Sequence, residues 1–156
     1  MKRNMKRRGF TLVELLIVIV VIGILSAMMM LSSTEAVTSA KASNIVSNLR
    51  NLKTAALAMY IDSMDQFDAG TAGTPTIAKV VKYMNGGENF TETGYNIESA
   101  DGWYLSYTIT GTGSEKTQIK QKLKGRAKSV GLLNGKSTAK DGEYQGTNDI
   151  VYYFVR

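Results

Sequence analysis

Glu14 is the residue of this sequence whose position most needs a chemical explanation. It is the only charged residue between Gly9 and Glu35, and the segment around it is almost entirely apolar. A carboxylate in apolar surroundings is costly unless it is protonated or paired with a cation. The position of Glu14 therefore raises the question of what compensates its charge.

The composition excludes several classes of chemistry. The chain of 156 residues has no histidine, so the commonest general base and zinc ligand are missing. It also has no cysteine, which excludes thiol nucleophiles, thiolate metal sites and disulfides. No spacing of serines, lysines or carboxylates indicates a catalytic site. We therefore predict that the protein is not an enzyme, that it has no catalytic residue, and that it needs no cofactor.

The apolar segment has the length of a membrane-spanning helix. The 17 residues from Leu15 to Leu31 carry no charge, and the segment counted from Phe10 has 22 residues. As a helix, those 22 residues would extend about 33 Å, which matches a hydrocarbon core of about 30 Å. A secretory signal would be shorter and would end at a small-residue cleavage site, whereas a simple anchor leaves Glu14 unexplained.

The positive charge of the chain is concentrated at its N-terminus. The net charge is +6, and five of the 19 basic residues lie in the first eight positions. Without residues 1–9 the chain has 14 basic and 13 acidic residues, so its basicity is weak evidence for nucleic-acid binding. By the positive-inside rule, the N-terminus stays in the cytoplasm and the chain after about residue 32 is exported.

The stretch "RRGFTLVELLIVIVVIGIL" resembles the N-terminus of type IV pilins and of the pseudopilins of type II secretion systems. The resemblance implies that a prepilin peptidase cuts between Gly9 and Phe10, and that the new amino terminus at Phe10 is methylated. It also implies that Glu14 is the glutamate used in filament assembly. The expected domains are a leader over residues 1–9, a hydrophobic transmembrane and filament-core helix over 10–34, and an exported globular domain over 35–156.

The same resemblance implies the function and the partners. We expect a structural subunit of a type IV pilus-like filament, which waits as a single-pass protein in the bacterial inner membrane and is polymerised by an assembly platform there. The alternative within the family is a pseudopilin that forms a periplasmic pseudopilus. A third hypothesis, from another class, is a membrane-anchored binding domain that never assembles.

Cleavage would give Glu14 a partner. It creates an amine at Phe10 that is mostly protonated at neutral pH. Glu14 lies four residues further on, about 6 Å along a helix. In a bundle of parallel helices, a neighbour displaced by one step could place its Phe10 amine against this carboxylate. The alternative interpretation is a tolerated carboxylate close to the membrane interface.

The remaining sequence predicts an α+β domain. Between Glu35 and Ile61 apolar residues recur at helical spacing, so one helix from about residue 10 to about residue 64 should pack its second half against a sheet. Pro75 suits the first position of a short helix, Thr74 its cap and Gly86 its exit. The predicted inward-facing stripe of the long helix consists of Ala42, Ile45, Leu49, Leu52, Ala56 and Met59.

Two strands and a further helix complete this domain. "GWYLSYTITG" alternates between apolar and more polar residues, which predicts a strand with one buried face. Residues 114–133 predict a helix with Ile119, Leu123, Ala127 and Val130 facing inward, and "DIVYYFVR" predicts a final strand. The expected fold is therefore a long N-terminal helix, hydrophobic in its first half, packed against a small antiparallel sheet with accessory helices, as in pilins.

A basic region and a loop rich in oxygen ligands are further candidate sites. Eight lysines and arginines and no acid lie between Lys116 and Lys140, whereas the region from Asp62 to Asp101 is acidic. The basic face could bind DNA, bind the acidic face of a neighbouring subunit, or be an ordinary solvated surface. The loop has the oxygen ligands that calcium prefers, although Asp-Gly is also a common turn. The candidate basic residues are Lys120, Lys122, Lys124, Arg126 and Lys128, and the candidate calcium ligands are Asp141, Glu143 and Asp149.

Overall fold

The computed structural model describes residues 9–64, 75–87, 90, 93–100, 102–136 and 142–156. The fold is α+β, as predicted, and has two compact units that divide between Ala36 and Val37. The helices are α1 (Leu12–Asp62), α2 (Ile77–Val81) and α3 (Gly113–Val130). The strands are β1 (Tyr95–Ser99), β2 (Trp103–Thr108), β3 (Leu132–Leu133) and β4 (Ile150–Phe154).

The first unit contains the apolar part of α1. Its most apolar stretch of 18 residues has a mean hydropathy of 2.8, and none of that stretch is buried within the chain. Among the described residues, α1 is the one helix that is long and apolar enough to cross a membrane, by length and composition. These side chains therefore need a lipid or protein environment that the chain itself does not provide.

The second unit has its own hydrophobic core, and the predicted stripe of α1 forms one side of it. All six stripe residues are at most 5% exposed, which confirms the helical pattern. They pack in one cluster with buried side chains of the sheet and of α3. The core therefore consists of one helix face, one sheet face and a second helix, an arrangement that buries the apolar side of each element.

The sheet is antiparallel and has the strand order β1-β2-β4-β3. The register places Leu105 of β2 between Ile97 of β1 and Tyr153 of β4. Leu132 of β3 pairs with the same Tyr153 on its other side. These side chains line the inner face of the sheet because residues directly opposite each other in a ladder point to the same side.

The prediction that β2 buries only one face was wrong. Tyr104 and Ser106 point to the outer face, yet they are 0% and 4% exposed. As a central strand, β2 has a neighbour on each side, and side chains of these neighbours cover its outer face. The ring centroid of Phe154 lies 5.3 Å from that of Tyr104, and the Ser106 hydroxyl donates to Glu98. Strand position, which alternation does not encode, decides this burial.

The helix α3 follows the prediction except at its end, because Leu132 and Leu133, predicted as its last residues, form β3 instead. Ile119, Leu123 and Ala127 are buried, and Gly125 lies within the helix without ending it. The helix ends at Gly131, whose φ of 83° is left-handed and whose N–H donates to the Ala127 carbonyl at 2.7 Å. Glycine takes this conformation at little cost, so the chain turns here into β3.

The region before the sheet differs from the prediction in two ways. The helix α2 has only five residues and is capped by an extended Thr76, so Pro75 precedes the helix instead of opening it. Thr74, the predicted cap, lies outside the described residues. Turns follow α2 as far as Gly86, whose φ is 72°. The strand β1, "YNIES", was not predicted, because only two apolar residues, Tyr95 and Ile97, alternate with polar ones and so short a pattern is a weak signal.

Candidate processing and assembly site

The Gly9–Phe10 junction lies in exposed chain just before α1. Both residues are exposed, Phe10 to 91%, and the helix begins only at Leu12. A side chain built on Gly9 would meet no atom within 4 Å. The peptide bond between Gly9 and Phe10 therefore lies outside the helix, in exposed chain.

Glu14 closes a reciprocal hydrogen-bonded cap at the start of α1. Its Oε2 accepts hydrogen bonds from the backbone N–H and the hydroxyl of Thr11, each at 2.8 Å. In return the backbone N–H of Glu14 donates to the Thr11 Oγ1 at 3.2 Å. Thr11 and Glu14 thus form a capping box, the arrangement in which two residues three apart satisfy each other's free backbone donors.

This cap gives Glu14 a role within the subunit that the sequence analysis did not assign. The signal was present as the T-x-x-E pattern at residues 11–14, directly before an apolar run. Free backbone donors are especially costly in an apolar environment, so the cap matters most for a helix that starts in lipid. The described residues donate no hydrogen bond to the second oxygen, Oε1, which leaves one acceptor for an external cation.

The long helix with an apolar first half, the four-stranded antiparallel sheet and the extra helices define a pilin-like α+β protein. Residues 4–30 match the family described as the prokaryotic N-terminal methylation motif, which is the signature of type IV pilins and pseudopilins. This signature and the apolar part of α1 fit a membrane-anchored pilin-type protein, a class that is structural. No curated protein and no solved structure matches the chain.

The structure distributes the predicted basic residues over different surfaces of α3. Lys122 and Lys124 are separated by about 200° around the helix and lie on opposite flanks. Lys120 pairs with Asp149, and Arg126 donates to the Ser43 hydroxyl at 2.7 Å. The three remaining side chains, Lys122, Lys124 and Lys128, are exposed.

Asp149 lies between two lysines of α3. Its carboxylate is 2.6 Å from the Lys116 Nζ and also pairs with Lys120. Hydrogen bonds from Lys116 and then Lys120 lower the pKa of Asp149 from its ordinary value of 3.8. Beside it, burial raises the pKa of Tyr144 to about 12, and the Tyr144 hydroxyl donates to the Asn148 carbonyl at 2.7 Å. These contacts hold the loop before β4 against α3.

Two further ion pairs join elements of the second unit. Glu115 of α3 pairs with Lys41 of α1 and raises the pKa of Lys41, chiefly through the hydrogen bond. Glu98 of β1 pairs with Lys136 and raises the pKa of Lys136 in the same way. Several charges that the sequence presents as separate acidic and basic regions therefore neutralise each other within the subunit.

The candidate calcium ligands are only partly within the described residues. Asp141 lies outside them, Glu143 is exposed, and Asp149 is engaged by the two lysines. Among the residues that the structure describes, no group of three carboxylates is close enough to hold a metal ion. Calcium binding by this loop stays a prediction.

Proposed function

We propose that the chain is the precursor of a structural subunit of a type IV pilus-like filament. In this proposal a prepilin peptidase cuts between Gly9 and Phe10, the Phe10 amine is methylated, and the subunit is polymerised through the first half of α1. The observation that carries the proposal is the position of Glu14 at the start of an apolar helix, within a methylation motif that spans residues 4–30.

The proposed assembly contact joins the Phe10 amine of one subunit to the Glu14 carboxylate of another. The capping box supports this contact because it uses only Oε2 within the subunit and fixes the direction of the carboxylate. A cation at Oε1 would neutralise a charge that is otherwise expensive in apolar surroundings. The pair would thus set the register between neighbouring helices while allowing the subunit to leave the membrane.

The proposed location follows from the charges around the apolar helix. The five basic residues before Gly9 would keep the N-terminus in the cytoplasm, with the single span in the bacterial inner membrane. An assembly platform in that membrane would then extract the cleaved subunit. The exposed lysines of α3 would face other subunits or DNA. Calcium titration of the full chain would test whether the loop before β4 is a metal site.

A pseudopilin is the second candidate, and one observation favours it. The chain has no cysteine, whereas many pilins close their C-terminal region with a disulfide. A pseudopilin would be cleaved in the same way but would form a short periplasmic pseudopilus. A non-assembling anchor would need neither the Gly9–Phe10 junction nor Glu14.

The test is to shear cells that express the full chain and to determine its N-terminus in each fraction by mass spectrometry. A methylated chain starting at Phe10 and abundant in sheared filaments supports the pilin. The same chain confined to the envelope supports the pseudopilin, and an uncleaved chain refutes both.

Two matched variants test the role of Glu14 in this experiment. We expect Glu14→Gln to be cleaved but to be lost from sheared filaments. Glu35→Gln makes the same chemical change on the same helix beyond the apolar segment, and it should assemble normally. Equal filament yields from the two variants would contradict the proposed assembly contact.

A further inference from the structure

A shallow basic groove lies between α1 and α3 in the second unit. Its volume is about 380 Å³, and none of its lining residues is acidic. The polar side chains that line it carry two guanidinium groups, three hydroxyls and one amide: Arg50, Arg126, Ser43, Ser47, Ser129 and Asn51. This combination of groups is suited to binding carboxylates.

The two arginines of the groove differ from four lysines of the second unit, which each have a carboxylate partner within the chain. Lys41, Lys116, Lys120 and Lys136 are all paired within the chain. Among the described residues, no carboxylate pairs with Arg50, and the guanidinium of Arg126 donates to the Ser43 hydroxyl instead. The groove thus holds two positive charges that the subunit does not neutralise.

The same chain carries a complementary acidic segment, Asp62 to Asp68, which begins at the last residue of α1. It has three carboxylates, and no basic residue occurs from Asp62 until Lys79. Asp62 is exposed. Twelve residues of continuous helix separate Asp62 from Arg50, about 18 Å along the axis, so this carboxylate cannot enter the groove of its own chain.

We infer that the basic groove binds the acidic segment of a second copy of this chain. Because the groove and Asp62 lie at different positions along α1, the contact is heterologous, and its repetition builds an open helical array instead of a closed dimer. Charge complementarity would orient the approaching subunit before the helices pack. The inference rests on the proposed function and specifies a contact between the second units of neighbouring subunits.

Engineered cysteines test the contact directly, because the natural chain has none. Ser47 lies in the groove and Ser63 adjoins Asp62, and about 24 Å of helix separates them within one chain. A disulfide requires Cα atoms within about 7 Å, so a bond between these positions must join two chains. We expect Ser47→Cys/Ser63→Cys to give a ladder of covalent multimers in cells that assemble the full chain.

The controls distinguish this geometry from other contacts. Each single variant should stay monomeric on a non-reducing gel, since the contact is not self-complementary. Lys128→Cys/Ser63→Cys moves one cysteine to an exposed position of α3 that does not line the groove, and it should give no ladder. Absence of a ladder from the first pair, or dimers from either single variant, would overturn the inference.

Charge reversal provides a second, independent readout. We expect Arg50→Asp/Arg126→Asp to lower filament yield at least about tenfold, and Asp65→Arg/Asp68→Arg to restore it in the same chain. If loss of the hydrogen bond from Arg126 to Ser43 disturbs folding, the single variant Arg50→Asp, which keeps that bond, provides the same test. Lys122→Asp/Lys128→Asp is the matched control with the same change in charge outside the groove, and it should assemble.

The outcomes separate this inference from the proposed function. Wild-type filaments whose cysteine pair gives no ladder would overturn the inference alone. A ladder from chains that never leave the envelope would support the inference while refuting the surface pilus. If charge reversal left the ladder and the filaments unchanged but abolished binding to double-stranded DNA, the groove would be a nucleic-acid site and the inference would be wrong.

Discussion

Gly102 occupies a position where even a methyl group has no room. It precedes β2 in the tight connection from β1, where the Ala100 N–H donates to the Gly102 carbonyl at 2.8 Å. A Cβ atom at this position would overlap the carbonyl oxygen of Arg156 and lie 2.7 Å from Cε2 of Phe154. The chain after β4 would therefore have to move away from the start of β2.

The expected cost follows from the contacts that this movement breaks. Overpacking of a tight site costs about 1–3 kcal/mol. The displaced Arg156 carbonyl also loses the hydrogen bond from the Trp103 N–H, which is 2.9 Å long and contributes about 1 kcal/mol. We expect Gly102→Ala to lower the free energy of unfolding by about 2–4 kcal/mol. For a unit of this size, that corresponds to roughly 8–16 °C in melting temperature.

Gly125→Ala is the matched control, because it makes the same substitution where space is open. Gly125 lies within α3, and a Cβ there would meet no atom within 4 Å. Alanine is favoured over glycine in a helix interior by about 1 kcal/mol, so this variant should be more stable than the natural chain.

The assay is unfolding of the full chain in detergent, followed by fluorescence of Trp103, the only tryptophan of the sequence. Trp103 is 9% exposed and directly follows Gly102, so its emission reports on the affected strand. An unchanged melting temperature for Gly102→Ala, or a lowered one for Gly125→Ala, would refute the reasoning from these contacts.

Three further predictions concern the cap, the core and the charges. Thr11→Val should remove the cap of α1, cost about 1 kcal/mol locally, and speed hydrogen exchange of the Glu14 amide. Leu123→Ala should lower the free energy of unfolding by about 2–5 kcal/mol, measured as above, because this side chain is fully buried. The two lysine partners lower the pKa of Asp149. The Asp149 carboxylate therefore contributes to stability above about pH 4, and this contribution is lost as the pH falls through the lowered pKa. Asp149→Asn should therefore flatten the acid limb of a stability–pH curve, and an unchanged limb would show that the pair is not formed.

The elements that the sequence alone predicted are those in which local pattern and tertiary environment agree. The stripe of α1 and the inner face of α3 repeat apolar residues at helical spacing, and both are buried as expected. The N-terminal signature is equally local, because basic residues, Gly9, Phe10 and Glu14 follow one another in the chain. A contiguous pattern of this kind needs no knowledge of the fold.

The candidate site at Glu14 was likewise predicted only in part from the sequence. The sequence identified Glu14 as a carboxylate that needs a cation, but the structure was needed to show that one of its oxygens already serves Thr11. The cap could have been predicted from the T-x-x-E pattern alone. Which oxygen the Thr11 hydrogen bonds use depends on side-chain geometry, which a sequence does not give.

The charged surfaces were decided by tertiary structure. The sequence suggested one basic face and one acidic face, because it displays only charges that are close along the chain. Folding instead places Asp149 against Lys116 and Lys120, and Glu115 against Lys41, although 29 to 74 residues separate the partners. It also leaves Arg50 and Arg126 together in a groove that no linear pattern reveals.

The sequence by itself thus determined the apolar helix, its N-terminal methylation motif and the two helix faces that form the core. Only the tertiary structure decided that β2 is buried on both faces, that "YNIES" is a strand, and which charges remain available to partners. The physical reason is that helix faces and motifs are set by residues within a few positions of each other. Strand neighbours and ion pairs are set by segments that meet only after the chain has folded.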